Sequence, residues 1–148
     1  MHYARQLIAG LSLNLLMMSQ CNLYAAPSAN DLLVVANIDN AELSLSKQQV
    51  KSLFLGSLQG YDFIVATLPP SSLARVKFNT LVIGLTEERI QSYWAQMQFT
   101  GRKFPPKQIE TINELLNFMQ QTPGAVSYLP ASVALPASLK VLYRVSVD

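Results

Sequence analysis

Short apolar runs alternate along this sequence with segments that carry their own helix start and stop signals, and that alternation admits few folds. Leu32–Ile38, bounded by Asn and Asp, has the look of a buried strand, and Phe63–Leu68 is a second. Between them Ser46 and Gln49 form a capping box. The helix that follows, Lys47–Phe54, stacks Val50, Leu53 and Phe54 on one face and stops at Gly56. After Pro69-Pro70, Ser71-Ser72 opens a helix carrying Leu73, Val76, Phe78, Leu81 and Val82, which Gly84 closes. Thr86 caps a third helix, with Glu87 and Glu88 in its positive first turn and Ile90, Tyr93, Trp94 and Met97 at helical spacing. Gly101 ends it, and a basic loop, Arg102–Lys107, follows. Thr111 and Glu114 make another capping box for Ile112–Gln121, and Pro123-Gly124 turns into strands Ala125–Leu129 and Leu139–Val147. The order β-α-β-α-α-α-β-β is α/β, with a small mixed sheet and helices on both faces.

The start of the chain reads as an export signal. Arg5 and His2 precede an apolar run, Leu7–Met18, and small residues follow at Ala25, Ala26, Ser28 and Ala29. The run is about 12 residues, short of the ~20 that cross a bilayer. Residues 1–26 are therefore expected to be a cleaved signal peptide. Ala25 and Ser28 are rival ends, because a cut after Ala26 places bulky Tyr24 at the −3 position. An uncleaved anchor, or lipidation at Cys21 after Gln20, are the alternatives. The expected location is periplasmic or secreted, with residues 27–148 as one domain and no second hydrophobic span.

Of the 148 residues about 122 then remain, with nearly balanced charge, which argues against a nucleic-acid partner. Cys21 and His2, the sole Cys and His, leave with the signal. Thiol and imidazole catalysis and metal sites built on them go too, and Asp31, Asp39 and Asp62 lack calcium-loop spacing. Adjacent Glu87 and Glu88 point about 100° apart around a helix and do not converge as an acid/base pair. No catalytic residue, cofactor or metal is expected, so the chain reads as a non-enzyme.

One constellation suits an anion. A helix starting at Ser71 or Ser72 turns its free N–H groups and the positive end of its dipole toward the preceding loop. The two hydroxyls donate beside them. Arg75, one turn on from Ser71, offers a planar donor fork on the same side. The plain alternative is an ordinary serine cap with a solvated arginine. Arg102, Lys103 and Lys107 form a basic cluster, read as a solvated loop. Tyr93 and Trp94 with Phe99 and Phe104 are read as core packing rather than a sugar platform.

Taken in order, Val34-Val35-Ala36-Asn37, Leu53-Phe54-Leu55-Gly56, Ser71–Phe78, Tyr93-Trp94, Phe99–Arg102 with Pro105-Pro106, and Pro123–Tyr128 resemble the phosphate-binding periplasmic proteins of ABC transporters, in particular their short, single-domain relatives. The resemblance covers about Leu32 to Leu142. It implies one lobe of a periplasmic-binding-protein-like fold, weak binding of phosphate or a similar oxyanion through Ser71, Ser72 and Arg75, and an association with phosphate transport. The family's Ser-Gly-Thr triplet is absent here, since Leu73 and Ala74 follow the serines, and so is the opposing lobe with its Asp. The rival expectation is a periplasmic or envelope protein-interaction module that kept the lobe and lost the ligand. Its mark would be an apolar surface patch involving Tyr61, Phe63 or Phe104.

Overall fold

Five strands and four α-helices follow one another in the computed structural model, which describes residues 28–147. The expected signal peptide, Cys21 and two of the three rival cleavage points, after Ala25 and Ala26, lie outside the described residues. The strands are β1 (Leu32–Asn37), β2 (Ile64–Thr67), β3 (Lys107–Gln108), β4 (Ala125–Pro130) and β5 (Leu139–Val145). The helices are α1 (Lys47–Phe54), α2 (Leu73–Phe78), α3 (Glu87–Phe99) and α4 (Ile112–Gln121), and α2 runs directly into a π-helical turn, Asn79–Ile83. Among the described residues no helix is long and apolar enough to cross a membrane.

The strands form one mixed sheet in the order β3-β2-β4-β1-β5. β2 is parallel to β3 and β4, whereas β1 runs antiparallel to both β4 and β5. Period-two alternation then decides what each face buries. Val34 sits opposite Tyr128, and the Tyr128 ring packs on Phe54 of α1 and Phe78 of α2, so those helices cover that face. On the other face Asn37 donates to the Met119 carbonyl of α4 at 2.7 Å, reinforcing a helix end that otherwise accepts only a long 3.4 Å bond from the Thr122 N–H. Helices on both faces are thus the observed arrangement.

β5 departs from simple alternation. It buries Leu139, Leu142 and Val145, because the pairing steps from Val34↔Tyr143 to Val35↔Val141 and leaves Leu142 as an extra, bulged residue. Its carbonyl accepts from Leu45 N–H at 2.9 Å, so the connection after β1 is laced to this outer strand.

The structure corrects four expectations. α2 exposes Leu73 (68%) and Val76, and buries Ala74, Arg75 and Phe78, followed by Asn79, Val82 and Ile83 in the π turn. The buried stripe contains Arg75 and Asn79 because both have a partner across the next turn. β2 is shorter than Phe63–Leu68 and half-open, since β3 pairs only with Ala66 and Thr67. β3 itself lies in what reads as loop. Phe99 (93% exposed) and Phe104 (78%) do not join the core: Phe99 is five positions, about 140°, around the helix from buried Trp94.

Gly124 turns α4 into β4 at φ +80°, and a Cβ there would stand 3.0 Å from the Asp62 backbone oxygen. Gly124→Ala is expected to cost about 2 kcal/mol through the left-handed conformation and that contact, read as a lowered urea midpoint with unchanged slope.

Candidate binding site

The segment after β2 is where the expected ligands lie. Ser72 takes the N-cap position of α2 in extended conformation, and its hydroxyl makes no capping hydrogen bond; Ser71 is exposed beside it. Arg75 is elsewhere. It is 7% exposed and lies under the loop, with Nη1 donating to the Leu68 carbonyl at 2.7 Å. Nε and Nη2 donate to the two oxygens of Glu87 at 2.9 and 2.5 Å. The side-on fork that would grip an oxyanion is therefore closed on a carboxylate of the same chain.

Glu87 also accepts from Asn79 Nδ2 at 2.8 Å and Gln91 Nε2 at 2.7 Å. Partial burial pushes its carboxyl upward. The hydrogen bonds from Arg75, Gln91 and Asn79, with the charge of Arg75, outweigh that and hold it below the usual carboxylate range. Leu68 is fixed from its other side too, since its N–H donates to the Tyr128 hydroxyl, which shares a 2.8 Å hydrogen bond with Thr67 Oγ1. One residue, Leu68, is thus held at both its N–H and its carbonyl, and it sets where Pro69-Pro70-Ser71-Ser72 leaves the sheet.

Sequence reasoning missed Glu87 as the partner of Arg75, and missed Asn79 altogether. A signal was present: Arg75 and Asn79 are i, i+4, so two polar residues share one side of a helix that must bury a face. Nothing in the spacing identifies what they meet.

Two hollows flank the Pro105-Pro106 segment. The first, about 270 Å³, is bordered by Thr67, Arg75, Asn79 and Gln91 together with Phe54 and Trp94. The second, about 280 Å³, is an aromatic groove between Tyr61, Phe63 and Phe104, floored by Phe54 and Trp94. The Tyr61 and Phe63 rings are stacked, 5.2 Å apart and 9° from parallel, and Tyr61 remains 41% exposed. Gly56, at φ +68°, lets this wall close: a Cβ there would stand 3.1 Å from Trp94 and 3.4 Å from the Lys103 stem. Of the basic cluster, Lys107 lies over the Phe118 ring at 4.6 Å. Arg102 and Lys103 have no ion-pair partner among the described residues.

No family model matches this chain. No curated protein matches it in sequence. A solved structure does: an ABC-type phosphate transport receptor from Vibrio cholerae superimposes with a TM-score of 0.56 at 18% identity, covering 77% of this chain and 47% of the receptor. The likeness is one of fold. This chain has the α/β architecture of about half of that receptor, a periplasmic-binding-protein-like lobe with a mixed five-stranded sheet.

Proposed function

We propose that this chain is an exported, non-enzymatic lobe that has kept a receptor fold and works by docking a protein partner rather than by enclosing phosphate. The observation that supports this reading is the aromatic groove, where Tyr61 and Phe104 stand exposed and Phe63 is partly buried beside them, the kind of surface patch expected of an interaction module. Large aromatic side chains left in water gain about 1.5–3 kcal/mol each when a partner covers them fully. They supply most of the energy at protein interfaces.

Oxyanion binding is the second reading, supported by the uncommitted Ser72 hydroxyl and exposed Ser71 in front of α2. Two features count against it as the main role. Glu87 neutralises Arg75, so an arriving anion meets an ion pair with no net charge. A half-site with no opposing lobe also leaves the anion hydrated.

The two readings separate in one pair of measurements. Calorimetric titration with phosphate, with sulfate as control, is expected to give no heat below about 1 mM, weaker than roughly −4 kcal/mol. Micromolar, phosphate-selective heat that disappears in Ser71→Ala/Ser72→Ala would put the oxyanion reading first. Tyr61→Ser/Phe104→Ser is expected to lose the partners that wild type retains from envelope extract while melting at the same temperature. Equal retention by the variant would remove the docking reading. Arg75 is a poor probe of binding, because replacing it also removes the hydrogen bond that anchors the Leu68 carbonyl at the start of the loop that carries the serines.

A further inference from the structure

Resting on the docking reading, we infer the chemistry of the partner: the groove takes an extended, acidic peptide segment that inserts one bulky apolar side chain between the Tyr61–Phe63 stack and Phe104. The side chains that line the groove are aromatic, aliphatic or proline, which match a bulky anchor, while most of the surface the groove leaves accessible is polar, which suits the backbone of an extended peptide. A concave slot of about 280 Å³ has room for one such side chain and receives a peptide better than it meets a flat surface.

The charge comes from the rim, where Arg102 and Lys103 immediately precede Phe104 in the chain; Lys107 is engaged elsewhere, over the Phe118 ring of α4. Lys103 lays its aliphatic stem against Gly56, a wall of the groove, and exposed Arg102 is its neighbour in the chain. Neither has an ion-pair partner among the described residues, so both charges are available to a ligand. Asp62 stands between the stacked rings in sequence; with residues i and i+2 on one side of an extended segment, it belongs to the other. An apolar anchor flanked by Asp or Glu matches this surface, and a basic segment is repelled by it.

The test uses the full chain and makes no assumption about the natural partner. A random dodecapeptide library is selected on immobilised protein, and the enriched peptides are synthesised and titrated. The expected consensus has an excess of Asp and Glu around one aromatic or long aliphatic residue. Its affinity should fall at least about tenfold in Phe104→Ser, and as much in Arg102→Glu/Lys103→Glu, while Arg102→Lys/Lys103→Arg retains it. All of these positions lie at the surface, and unchanged melting confirms that each variant is folded.

Peptides that bind Phe104→Ser as well as wild type would overturn the groove itself, and the docking reading with it. Peptides that need Phe104 but carry no acidic excess and ignore the charge reversal would overturn the acidic partner and leave the groove standing. Failure to enrich any peptide overturns the inference as well. So does tight binding to phosphatidylglycerol vesicles that displaces the peptides, which would make an anionic membrane surface the occupant.

Discussion

Glu87→Ala should lower the unfolding free energy by about 4 kcal/mol, because it leaves the Arg75 guanidinium buried with no counter-charge. Arg75 is 7% exposed and has only the Leu68 carbonyl left once the carboxylate is gone. The reverse change, Arg75→Ala, should cost less, about 2 kcal/mol, since Glu87 is half-open to water and keeps Asn79 and Gln91 as donors. Such an asymmetry distinguishes a buried cation that needs its anion from a simple surface pair, for which both changes would be worth under about 1 kcal/mol. Urea unfolding of the two variants near neutral pH measures it. The pH dependence has a definite sign. The Glu87 carboxyl is held below its ordinary value in the folded chain, so its stabilisation is fully present above the unfolded carboxylate value of about 4.3. It is lost as the pH falls through the lower folded value, where the carboxyl takes up a proton. Wild type should therefore lose stability on acidification over that window more steeply than Glu87→Gln. Identical acid profiles would mean that the pair contributes nothing.

The same ion pair explains how far the candidate site could be read without coordinates. Pro69-Pro70-Ser71-Ser72 announces a chain break and a helix start, and both occur there, because the signals act within a few residues of themselves. The capping boxes at Ser46 and Thr111 form with both reciprocal hydrogen bonds for the same reason, and Gly84 closes its helix in the left-handed conformation. Arg75 is different. Its environment is decided by a residue twelve positions on, brought back by the turn at Gly84, and no local rule says whether that residue arrives within reach. The exposure of Leu73 and Val76 follows from it, since the face holding Arg75 and Asn79 is the one that must turn inward. β3 escaped because two residues have no periodicity, and Phe104 because an aromatic in a proline-flanked loop reads the same whether a neighbour covers it or not. What remained illegible is what covers what, and the proposed function depends on that.

Phe78→Ala should cost about 4 kcal/mol, within the 3–5 kcal/mol usual for an aromatic removed from a core. The ring is 1% exposed and stacks on Tyr128 with centroids 4.2 Å apart and planes 10° from parallel, while Phe54 meets it at 4.6 Å. Part of the loss is the cavity and part is the ring–ring interaction, about 0.5–1.5 kcal/mol beyond area alone. The site adds a second consequence. Tyr128 holds the loop after β2 through its hydroxyl, and its ring is kept in place by the two phenylalanines. Burial raises the Tyr128 hydroxyl above its ordinary value, against the hydrogen bonds with Thr67 and Leu68 that pull it down. It stays protonated in the folded chain to higher pH than in the unfolded one, so this contribution to stability is fully present below the ordinary tyrosine value of about 10 and is lost as the pH rises from there through the higher folded value. In wild type one tyrosine should therefore ionise later than the others in a spectrophotometric titration. Phe78→Leu, which keeps an apolar filling but no ring, should cost less and leave the late titration in place. Phe78→Ala opens the Tyr128 ring to water, and the late phase should merge with the rest. A late phase that persists in Phe78→Ala would show that the hydroxyl is held by Thr67 and Leu68 alone, and that the serine-bearing loop does not depend on the aromatic cluster beneath it.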